Sequence, residues 1–533
     1  MARTDKSLAR AEKTLPNFYR DSVALMQLSS RIEGFPGITR ATAVMATQAN
    51  IDLLKEAGFT ASDLSPRPND LLIVIEGHDD AAVADALSQT EAALQAAAAP
   101  AAGTAAGPAA IPAASLAMAL EDKPAANFAL ISTPGEYAAA EAEKALRLGL
   151  NVMVFSANVA PGDEIALKRM ARERQLLMMG PDCGTAIVNG VPLGFANALR
   201  RGPVGLVGSA GTGLQEVTSL LDRAGIGVSQ VLGCGARDLS DDVQGLSMRQ
   251  GLAALAGDDP TRVIVLVAKH PSIAVARRIG REAAQLGKPV VLAFLGLDLA
   301  SIAGGNIFVA GTLDDAARTA AALALGKTPP APAGRDPALA ALARENAGRL
   351  SERQAYIRAL YSGGTFCYEA QTLLAQEVAP IWSNTPIAAA STLPDVWTSR
   401  EHTLIDLGDE FFTRGRPHPM IDLRLRLERL RQEFADPQTA VILLDVVLGY
   451  GAHADPATEI ASAIADARTA RPLTDHDVIV VASVCGTQAD PQGLSRQEEA
   501  LRQAGVLLAP SNAAAARLAA RIIHAHSNRA GHT

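Results

Sequence analysis

Cysteine is scarce in this chain. It has four, Cys183, Cys234, Cys367 and Cys485, and no two of them form a C-x-x-C pair. This wide spacing argues against a disulfide scaffold and against a structural zinc site. We therefore expect a reducing compartment and no structural metal.

An excess of positive charge and a long apolar run are also absent. The formal net charge is -8 and the isoelectric point is near 5.7, so no basic stripe is available to release counterions from nucleic acid. No stretch reaches the roughly 18 apolar residues of a membrane span. The first residues, MARTDKSLARAEKTLPN, lack the apolar segment of a secretion signal. We expect a cytoplasmic protein that binds neither nucleic acid nor membrane.

What the chain does have is length and apolar content. With 533 residues and 48% hydrophobic side chains, it can bury roughly three to five cores. Two Ala/Pro-rich stretches are typical of linkers and divide it. The expected organisation is a small N-terminal α/β domain (1–96), a linker (97–114), a Rossmann-type domain (115–199), a flavodoxin-type domain (200–327), a second linker (328–338) and a second flavodoxin-type domain (339–533).

Strand and helix patterns alternate along most of the chain. NFALIS, NVMVFS and LLMMG look like strands separated by helices, and VGLVGS, GVSQVLG, VIVLVA and PVVLAFL continue the series. Strands are also expected at PIAAAS, TLIDLG, AVILLDVVLG and VIVVAS, and at SVALMQLSSRI near the N-terminus. This alternation predicts an α/β protein with several doubly wound parallel sheets.

One motif occurs twice. Residues 209–216 read SAGTGLQE and residues 362–369 read SGGTFCYE, so both fit S-[AG]-G-T-x-x-x-E. In both copies an Asp-Pro pair, at 259–260 and 436–437, precedes a later apolar strand. The match indicates an internal repeat of a whole domain.

A glycine-rich turn between a strand and a helix exposes free N–H groups and the positive end of the helix dipole, which together bind anions. The alternative is a tight turn with an ordinary helix cap. Two such turns that converge on one phosphate would form a strong site. The predicted phosphate-binding residues are Ser209, Gly211, Thr212, Gly213, Ser362, Gly363, Gly364 and Thr365.

From about residue 115 to 525, the chain resembles the CoA-ligase superfamily typified by succinyl-CoA synthetase, and most closely its FdrA-type acyl-CoA-synthetase-like members. The resemblance is carried by ISTPGEYAAAEAEKALRLGLNVMVFSANVAPGDE, MMGPDCGTAI, GLVGSAGTGLQE, SGGTFCYE, HTLIDLGDEF, VVLGYGAHADPA and SVCGTQADPQ. It implies two fused ligase halves whose helix N-termini face each other across a phosphate site.

The chain departs from that family in three ways. Residues 1–130 contain no glycine-rich loop for the CoA phosphates, and no histidine lies between His270 and His402, where the family has its phosphohistidine. The N-terminal domain is also too short for an ATP-grasp fold. We therefore expect no required cofactor, with CoA still possible, and an acyl phosphate such as carbamoyl phosphate as ligand.

The resemblance links FdrA-type proteins to oxamate carbamoyltransferase, which interconverts carbamoyl phosphate plus oxamate with oxalurate plus phosphate. We expect a subunit of such an enzyme, working with other subunits. A CoA-dependent acyl-CoA synthetase subunit and a non-catalytic scaffold remain alternatives.

Other candidate residues are weaker. His453, after a buried strand, could polarise a carbonyl or be an ordinary surface histidine, and Arg416 with His418 could bind a carboxylate or only rim a loop. For Cys485 a buried inert thiol is the commoner case. Lys269 and His270, which end the strand VIVLVAKH, could contact substrate. Asp406, close to Gly408, could position a backbone turn or a metal, and a lone carboxylate does not decide between them. The predicted catalytic residues are His453, Arg416 and His418. The predicted substrate-binding residues are Gly408, Gly451, Cys485, Gly486 and Thr487.

Overall fold

The computed structural model describes residues 9–20, 22–56, 58–59, 67–98, 113, 115–332, 337–414, 416–470 and 477–530. The chain forms two compact units. The first contains residues 1–126 and 410–422, and the second contains residues 127–409 and 423–533. Most of the linker expected at 97–114, and residues 333–336 of the second linker, lie outside the described residues.

The first unit is built on a three-stranded antiparallel sheet with strand order β1-β3-β2. All seven residues of its central strand β3 are buried. Its elements are β1 (Ala9–Leu15), α1 (Ser22–Glu33), β2 (Ile38–Met45), α2 (Gln48–Glu56), β3 (Leu71–Gly77), α3 (Asp80–Ala98) and α4 (Leu116–Asp122).

The prediction of a strand at SVALMQLSSRI is wrong, because this segment forms helix α1. Leu25, Ser29 and Ile32 are buried there, and their spacing of four and three residues places them on one helical face. In the sequence, other apolar residues stand between the buried ones, so the helical spacing is not obvious from the pattern.

The second unit opens with a small parallel sheet, β4-β5-β6. The sequence patterns predicted each of its elements. They are β4 (Phe128–Ile131), α5 (Gly135–Arg147), β5 (Asn151–Val154), α6 (Pro161–Glu173) and β6 (Met178–Met179).

A seven-stranded sheet follows, with strand order β13-β12-β11-β9-β10-β7-β8. The strands from β13 to β10 are parallel, while β7 and β8 form an antiparallel hairpin at its edge. Its elements are β7 (Thr185–Val188), β8 (Val191–Gly194), β9 (Arg201–Gly208), α7 (Gly211–Arg223), β10 (Val228–Gly233), α8 (Leu246–Gly257), β11 (Val263–Ala268), α9 (Ile273–Ala283), β12 (Val290–Phe294), β13 (Ile307–Val309) and α10 (Leu313–Ala324).

The second seven-stranded sheet is parallel throughout, with order β16-β15-β17-β14-β18-β19-β20. Its elements are α11 (Pro337–Ala347), β14 (Tyr356–Tyr361), α12 (Gly364–Leu374), β15 (Ile381–Ser383), β16 (Ser391–Thr392), β17 (His402–Asp406), α14 (Arg424–Ala435), β18 (Thr439–Val447), α15 (Pro456–Ala470), β19 (Ile479–Cys485), α16 (Leu494–Gln503), β20 (Leu507–Ala509) and α17 (Asn512–Ala530); the short helix α13 (Glu410–Thr413) belongs to the first unit.

The two large sheets share one topology. In the first sheet, β10-β9-β11-β12-β13 has the order 2-1-3-4-5 when strands are counted from the one before the glycine-rich turn, which is that of flavodoxin-like folds. The strands β17-β14-β18-β19-β20 have the same order when the two additional edge strands β15 and β16 are not counted. The predicted α/β class with doubly wound parallel sheets is confirmed, and the internal repeat is visible in the strand order. In such sheets ligands bind at the carboxyl edge, where the chain order reverses.

Two details differ from the sequence expectation. Of PIAAAS, only Ser391 is in a strand, the two-residue β16, so that strand assignment is wrong. The hairpin β7–β8 lies before the boundary predicted at Leu199 but pairs with β10. The domain limits themselves stay a prediction.

Candidate functional site

The two glycine-rich turns touch each other. A Cβ atom at Gly363 would lie 2.9 Å from Cγ2 of Thr212, and a Cβ at Gly213 would lie 3.0 Å from Cγ2 of Thr365. Helices α7 and α12 therefore meet at their N-terminal ends. Because both ends carry positive dipole charge, negative charge placed beside them is stabilised.

Several donors of the first turn have no partner among the described residues. Gly211, Thr212 and Gly213 are the first three residues of α7, so their N–H groups have no intrahelical partner. Ser209 is 5% exposed, yet its hydroxyl has no hydrogen-bond partner among the described residues. This turn can therefore accept an external anion.

The second turn is already occupied by a carboxylate of the protein. Asp445 accepts hydrogen bonds from the N–H groups of Ser362 and Gly363, both at 2.8 Å, and from the Ser362 hydroxyl at 2.7 Å. Arg426 donates to the same carboxylate at 2.7 Å. Ser362 and Gly363, predicted to bind phosphate, thus use these donors internally, which leaves Gly364 and Thr365 at the start of α12.

The strand register explains this asymmetry. Val267 pairs with Gly208, the residue before Ser209. The Ser209 N–H donates a hydrogen bond to the backbone carbonyl of Val267. In the second repeat, the register that pairs Leu360 with Leu444 brings Asp445 to the equivalent place. The first repeat therefore has the apolar side chain of Val267 at the position where the second repeat has the carboxylate of Asp445.

Two opposite charges flank the first residue of α12. A Cβ at Gly364 would lie 2.6 Å from Oδ2 of Asp406 and 2.9 Å from Nζ of Lys269. Burial raises the pKa of Asp406 to about 6, with Lys269 opposing that rise. Gly364 is thus a glycine because a side chain would displace both groups.

Two further residues are associated with Lys269. Asp182 follows β6 and is exposed, and the positive charge of Lys269 acts to lower the pKa of its carboxyl group. His270 has a left-handed backbone with φ of 52°, and its ring lies 4.1 Å from that of Tyr368 on α12. Burial lowers the pKa of His270, and the positive charge of Lys269 lowers it further. Strained backbone of this kind often occurs at functional sites.

The repeated glutamates join the two flavodoxin-type domains. Glu216 accepts a hydrogen bond from the N–H of Asn512, the first residue of α17, at 3.0 Å. Glu369 accepts one from the N–H of Leu313, the first residue of α10, at 2.8 Å. Each repeat therefore caps the last helix of the other, which fixes the pairing of the turns.

His453 lies in the loop before α15, three residues from its first residue, Pro456. Its Nδ1 accepts a hydrogen bond from the N–H of Asp455 at 3.1 Å, and its Nε2 lies 3.2 Å from Glu459. Both ring nitrogens are thus engaged locally, as in the alternative reading of an ordinary histidine. Its catalytic role stays a prediction.

Arg416 and His418 belong to the segment 410–422, which is part of the first unit, whereas the paired turns belong to the second. Nδ1 of His418 accepts a hydrogen bond from the N–H of Met420 at 3.2 Å. Their predicted roles stay untested.

The residues predicted to bind substrate at the end of β19 contact the protein itself. The Thr487 hydroxyl donates to the carbonyl of Ala198 at 2.7 Å, and the Gly486 carbonyl accepts from Arg223 at 2.9 Å. Cys485 is buried, and burial raises the pKa of its thiol well above the usual range. These contacts join the two domains, and a buried neutral thiol is a poor nucleophile.

Gly408 and Gly451, which were also predicted to bind substrate, have different structural roles. The N–H of Gly408 donates to Oδ1 of Asp406 at 2.9 Å, so it holds a carboxylate of the site. A Cβ at Gly451, which has a φ of 78°, would lie 3.0 Å from the ring of Phe195. Gly451 therefore permits a turn and a close packing contact.

A surface depression of 460 Å³ is lined by Ala198, Leu199, Arg200, Asp222, Gln488 and Ala489. Asp222 is near the C-terminal end of α7, roughly 18 Å along the helix from the turn. The depression is therefore separate from the paired turns.

Sequence reasoning missed Asp445 and Asp182 and left Asp406 undecided. The available signal was a single carboxylate inside an apolar strand, AVILLDVVLG for Asp445 and TLIDLG for Asp406. A buried charge of this kind needs partners. Strand pairing was needed to identify them.

The family resemblance raises the question of CoA. The turn after β4 supplies Gly135, but a Cβ there would lie 2.3 Å from the carbonyl oxygen of Ala157. This glycine packs against the chain and does not form a phosphate cradle. We therefore assign no step to CoA.

Two known families match separate parts of this chain. Residues 360–522 match the family described as CoA-ligase, and residues 10–110 match one described as AllF, heavy metal-associated domain. That N-terminal segment contains no cysteine and one histidine, His78. No cluster of metal-binding side chains occurs among the residues whose structure is described. Soft thiolate ligation is thus excluded there.

Several relatives are similar over longer stretches. An Escherichia coli K12 protein described as uncharacterized protein YahF is 39% identical over 93% of this chain and 95% of its own length. Succinate–CoA ligase [ADP-forming] subunit alpha 1 of Archaeoglobus fulgidus is 29% identical over 31% of this chain and 57% of its own length. A solved acetyl-coenzyme A synthetase of Ca. Korarchaeum cryptofilum is 15% identical, covering 75% of this chain and 83% of its own, with a TM-score of 0.30. Over the described ranges, no helix is both long and apolar enough to span a membrane.

Proposed function

Because this chain belongs to the FdrA-type acyl-CoA-synthetase-like family of CoA-ligase-related proteins, we propose that it is a subunit of an acyl-phosphate-dependent carbamoyltransferase. The reaction is the transfer of the carbamoyl group from carbamoyl phosphate to oxamate, which gives oxalurate and phosphate. Other subunits complete the enzyme.

The observation that carries this proposal is the contact between the two glycine-rich turns. Free N–H groups at the start of α7 and the two positive helix ends favour a phosphate group. The leaving phosphate of an acyl phosphate develops negative charge there as the bond to the acyl carbon breaks. Preorganised donors stabilise that charge without reorganising.

The missing histidine supports a direct transfer. No histidine lies between His270 and His402, so the stretch has no residue for a phosphohistidine relay. An acyl phosphate supplied as substrate needs neither that relay nor a nucleotide-binding domain on this chain. Carbamoyl phosphate is already an activated acyl donor, so its carbamoyl group can be transferred directly, without CoA.

The test is an assay of the complex purified with its natural partners. Phosphate release from carbamoyl phosphate is measured with and without oxamate, and oxalurate is quantified in parallel. We expect phosphate and oxalurate in equal amounts, and only when oxamate is present. Phosphate release that does not depend on oxamate would refute the assigned acceptor.

A second candidate, a CoA-dependent acyl-CoA ligase subunit, is favoured by the similarity to succinate–CoA ligase alpha subunits. Calorimetry separates the two. Tight CoA binding by the complex, with no heat from carbamoyl phosphate, would select the ligase. A scaffold that only holds phosphate would show neither turnover nor sensitivity of turnover to changes in the turns.

A further inference from the structure

Lys269 brings a positive charge to the N-terminal end of a helix. It directly follows β11, at the point of the first large sheet where the strand order reverses. Its Nζ lies near the start of α12, where the helix dipole repels a cation. Among the described residues no hydrogen bond holds its ammonium group, and its nearest opposite charges are the carboxylates of Asp406 and Asp182, whose pKa values it acts to lower. A cation held at this end of a helix is stabilised when an anion binds.

Asp406 is held rigidly beside it. The side chain of Asn384 receives a hydrogen bond from the Asp406 N–H and donates one to its carbonyl, both at 2.9 Å. Oδ1 accepts from the Gly408 N–H. Within the described chain, Oδ2 accepts no hydrogen bond and faces the gap that Gly364 leaves open. Asp406 is only 6% exposed, and its Oδ2 lies beside this gap, 2.6 Å from where a Cβ at Gly364 would be.

The charges around Asp406 place its titration near neutrality. Burial raises its pKa to about 6, Lys269 and the Gly408 N–H oppose the rise, and Asp409 and Asp445 add to it. A carboxylate with such a pKa is largely ionised at pH 7 and still basic enough to accept a proton.

We propose that Lys269 and Asp406 are the catalytic pair of this site: Lys269 binds the phosphate of the acyl phosphate on the α7 side, and Asp406 accepts the proton of the attacking nitrogen. This inference rests on the proposed function. Asp445 already occupies the N–H groups of Ser362 and Gly363 in the second turn, so we place the phosphate nearer to the first turn.

The step balances as follows. The amide nitrogen of the acceptor attacks the carbamoyl carbon, and a C–N bond forms. The C–O bond to phosphate breaks, and its electron pair leaves with the phosphate, next to Lys269 and the α7 amides. The proton on the nitrogen moves to Oδ2 of Asp406, which later releases it to water.

Phosphate binding tests the pair without turnover. Inorganic phosphate is titrated into the purified complex by calorimetry at pH 7.5 and 5.5. Lys269→Met should weaken binding roughly 10- to 100-fold by removing a charge-assisted contact, and Lys269→Arg should restore part of it. Asp406→Asn should tighten binding at pH 7.5, and the difference from wild type should shrink at pH 5.5, where most Asp406 carboxyl groups are protonated. The exposed Lys144→Met is the control.

Kinetics test the proton transfer. With carbamoyl phosphate and oxamate, Asp406→Asn should lower kcat about 10²- to 10⁴-fold and remove the fall of kcat/KM below pH about 6. Thermal unfolding confirms that each variant is folded.

The outcomes are separable. A wild-type complex that binds phosphate through Lys269 but does not react with carbamoyl phosphate overturns the proposed function and leaves the phosphate contact standing. Equal phosphate affinity in Lys269→Met and wild type overturns the pair. An unchanged pH profile in an active Asp406→Asn complex overturns the role of the base.

Discussion

The hydroxyl of Ser362 donates a hydrogen bond to Oδ2 of Asp445 over 2.7 Å. Its counterpart in the other repeat, Ser209, is equally buried but has no partner among the described residues. The serine hydroxyl of the second copy is thus hydrogen-bonded within the protein, whereas that of the first copy, the open one, has no partner among the described residues. The open copy is where we place the substrate phosphate.

Thr212→Val and Thr365→Val should both slow turnover, and Thr212→Val should do so more strongly. Valine keeps the shape of threonine and removes the hydroxyl. A charge-assisted hydrogen bond of ~1.5–3 kcal/mol corresponds to a loss of roughly 10- to 100-fold. The measurement is kcat/KM of the assembled complex. Loss of partner subunits with unchanged turnover per complex would instead support a scaffold.

Gly363→Ala should separate the two turns. Its methyl group would lie 2.8 Å from Cδ2 of Phe366 and 2.9 Å from Cγ2 of Thr212. Overpacking of this kind lowers the free energy of unfolding by about 1–3 kcal/mol, and we expect turnover to fall as well. Gly162→Ala is the matched control, because it lies in the first turn of α6 with open space around it. Equal denaturation midpoints for both variants would contradict the contact.

Lys168→Met should destabilise the second unit. The buried ammonium lies 2.8 Å from Glu164 and 2.7 Å from Asp238. Burial opposes its charge, but Asp238 and Glu164 outweigh that effect and raise its pKa. Removing it leaves two buried carboxylates, at a cost of about 3–5 kcal/mol.

Chemical denaturation measures this change. The exposed pair Arg147–Glu143 provides the control, since Arg147→Ala should change the free energy of unfolding by at most ~1 kcal/mol. A similar small effect in Lys168→Met would show that the network is not structurally important.

Glu369 should make stability depend on pH. Burial raises its pKa to about 7, and the nearby charge of Glu216 adds to the rise, whereas an unfolded glutamate has a pKa of about 4.3. The folded state therefore binds more protons between these values, and the free energy of unfolding falls as pH rises from about 4.3 to 7. Glu369→Gln should reduce this slope.

The substitution Glu369→Gln should still allow a hydrogen bond to Asn512. The Oδ1 atom of Asn512 lacks a hydrogen bond in the described structure, and a glutamine amide can donate to it after the asparagine amide rotates. Unfolding midpoints measured at pH 5 and 7.5 provide the comparison. A slope as steep in Glu369→Gln as in wild type would refute the assignment to Glu369.

The sequence by itself determined the class of fold and the repeat. Apolar strands such as VIVLVA alternate with amphipathic helices, and this period reflects burial on both faces of a parallel sheet. The S-[AG]-G-T-x-x-x-E motif also determined where the two strand-to-helix turns lie, because glycine and threonine at these positions meet local backbone demands.

Only the tertiary structure decided how the turns are used. Asp445 is 83 residues from Ser362 in the chain, and Lys269 is distant in sequence from the Gly364 it approaches. Strand register and the packing of two domains bring these groups together. Local patterns determine which elements form, whereas the partners of a buried charge depend on long-range pairing that no local period encodes.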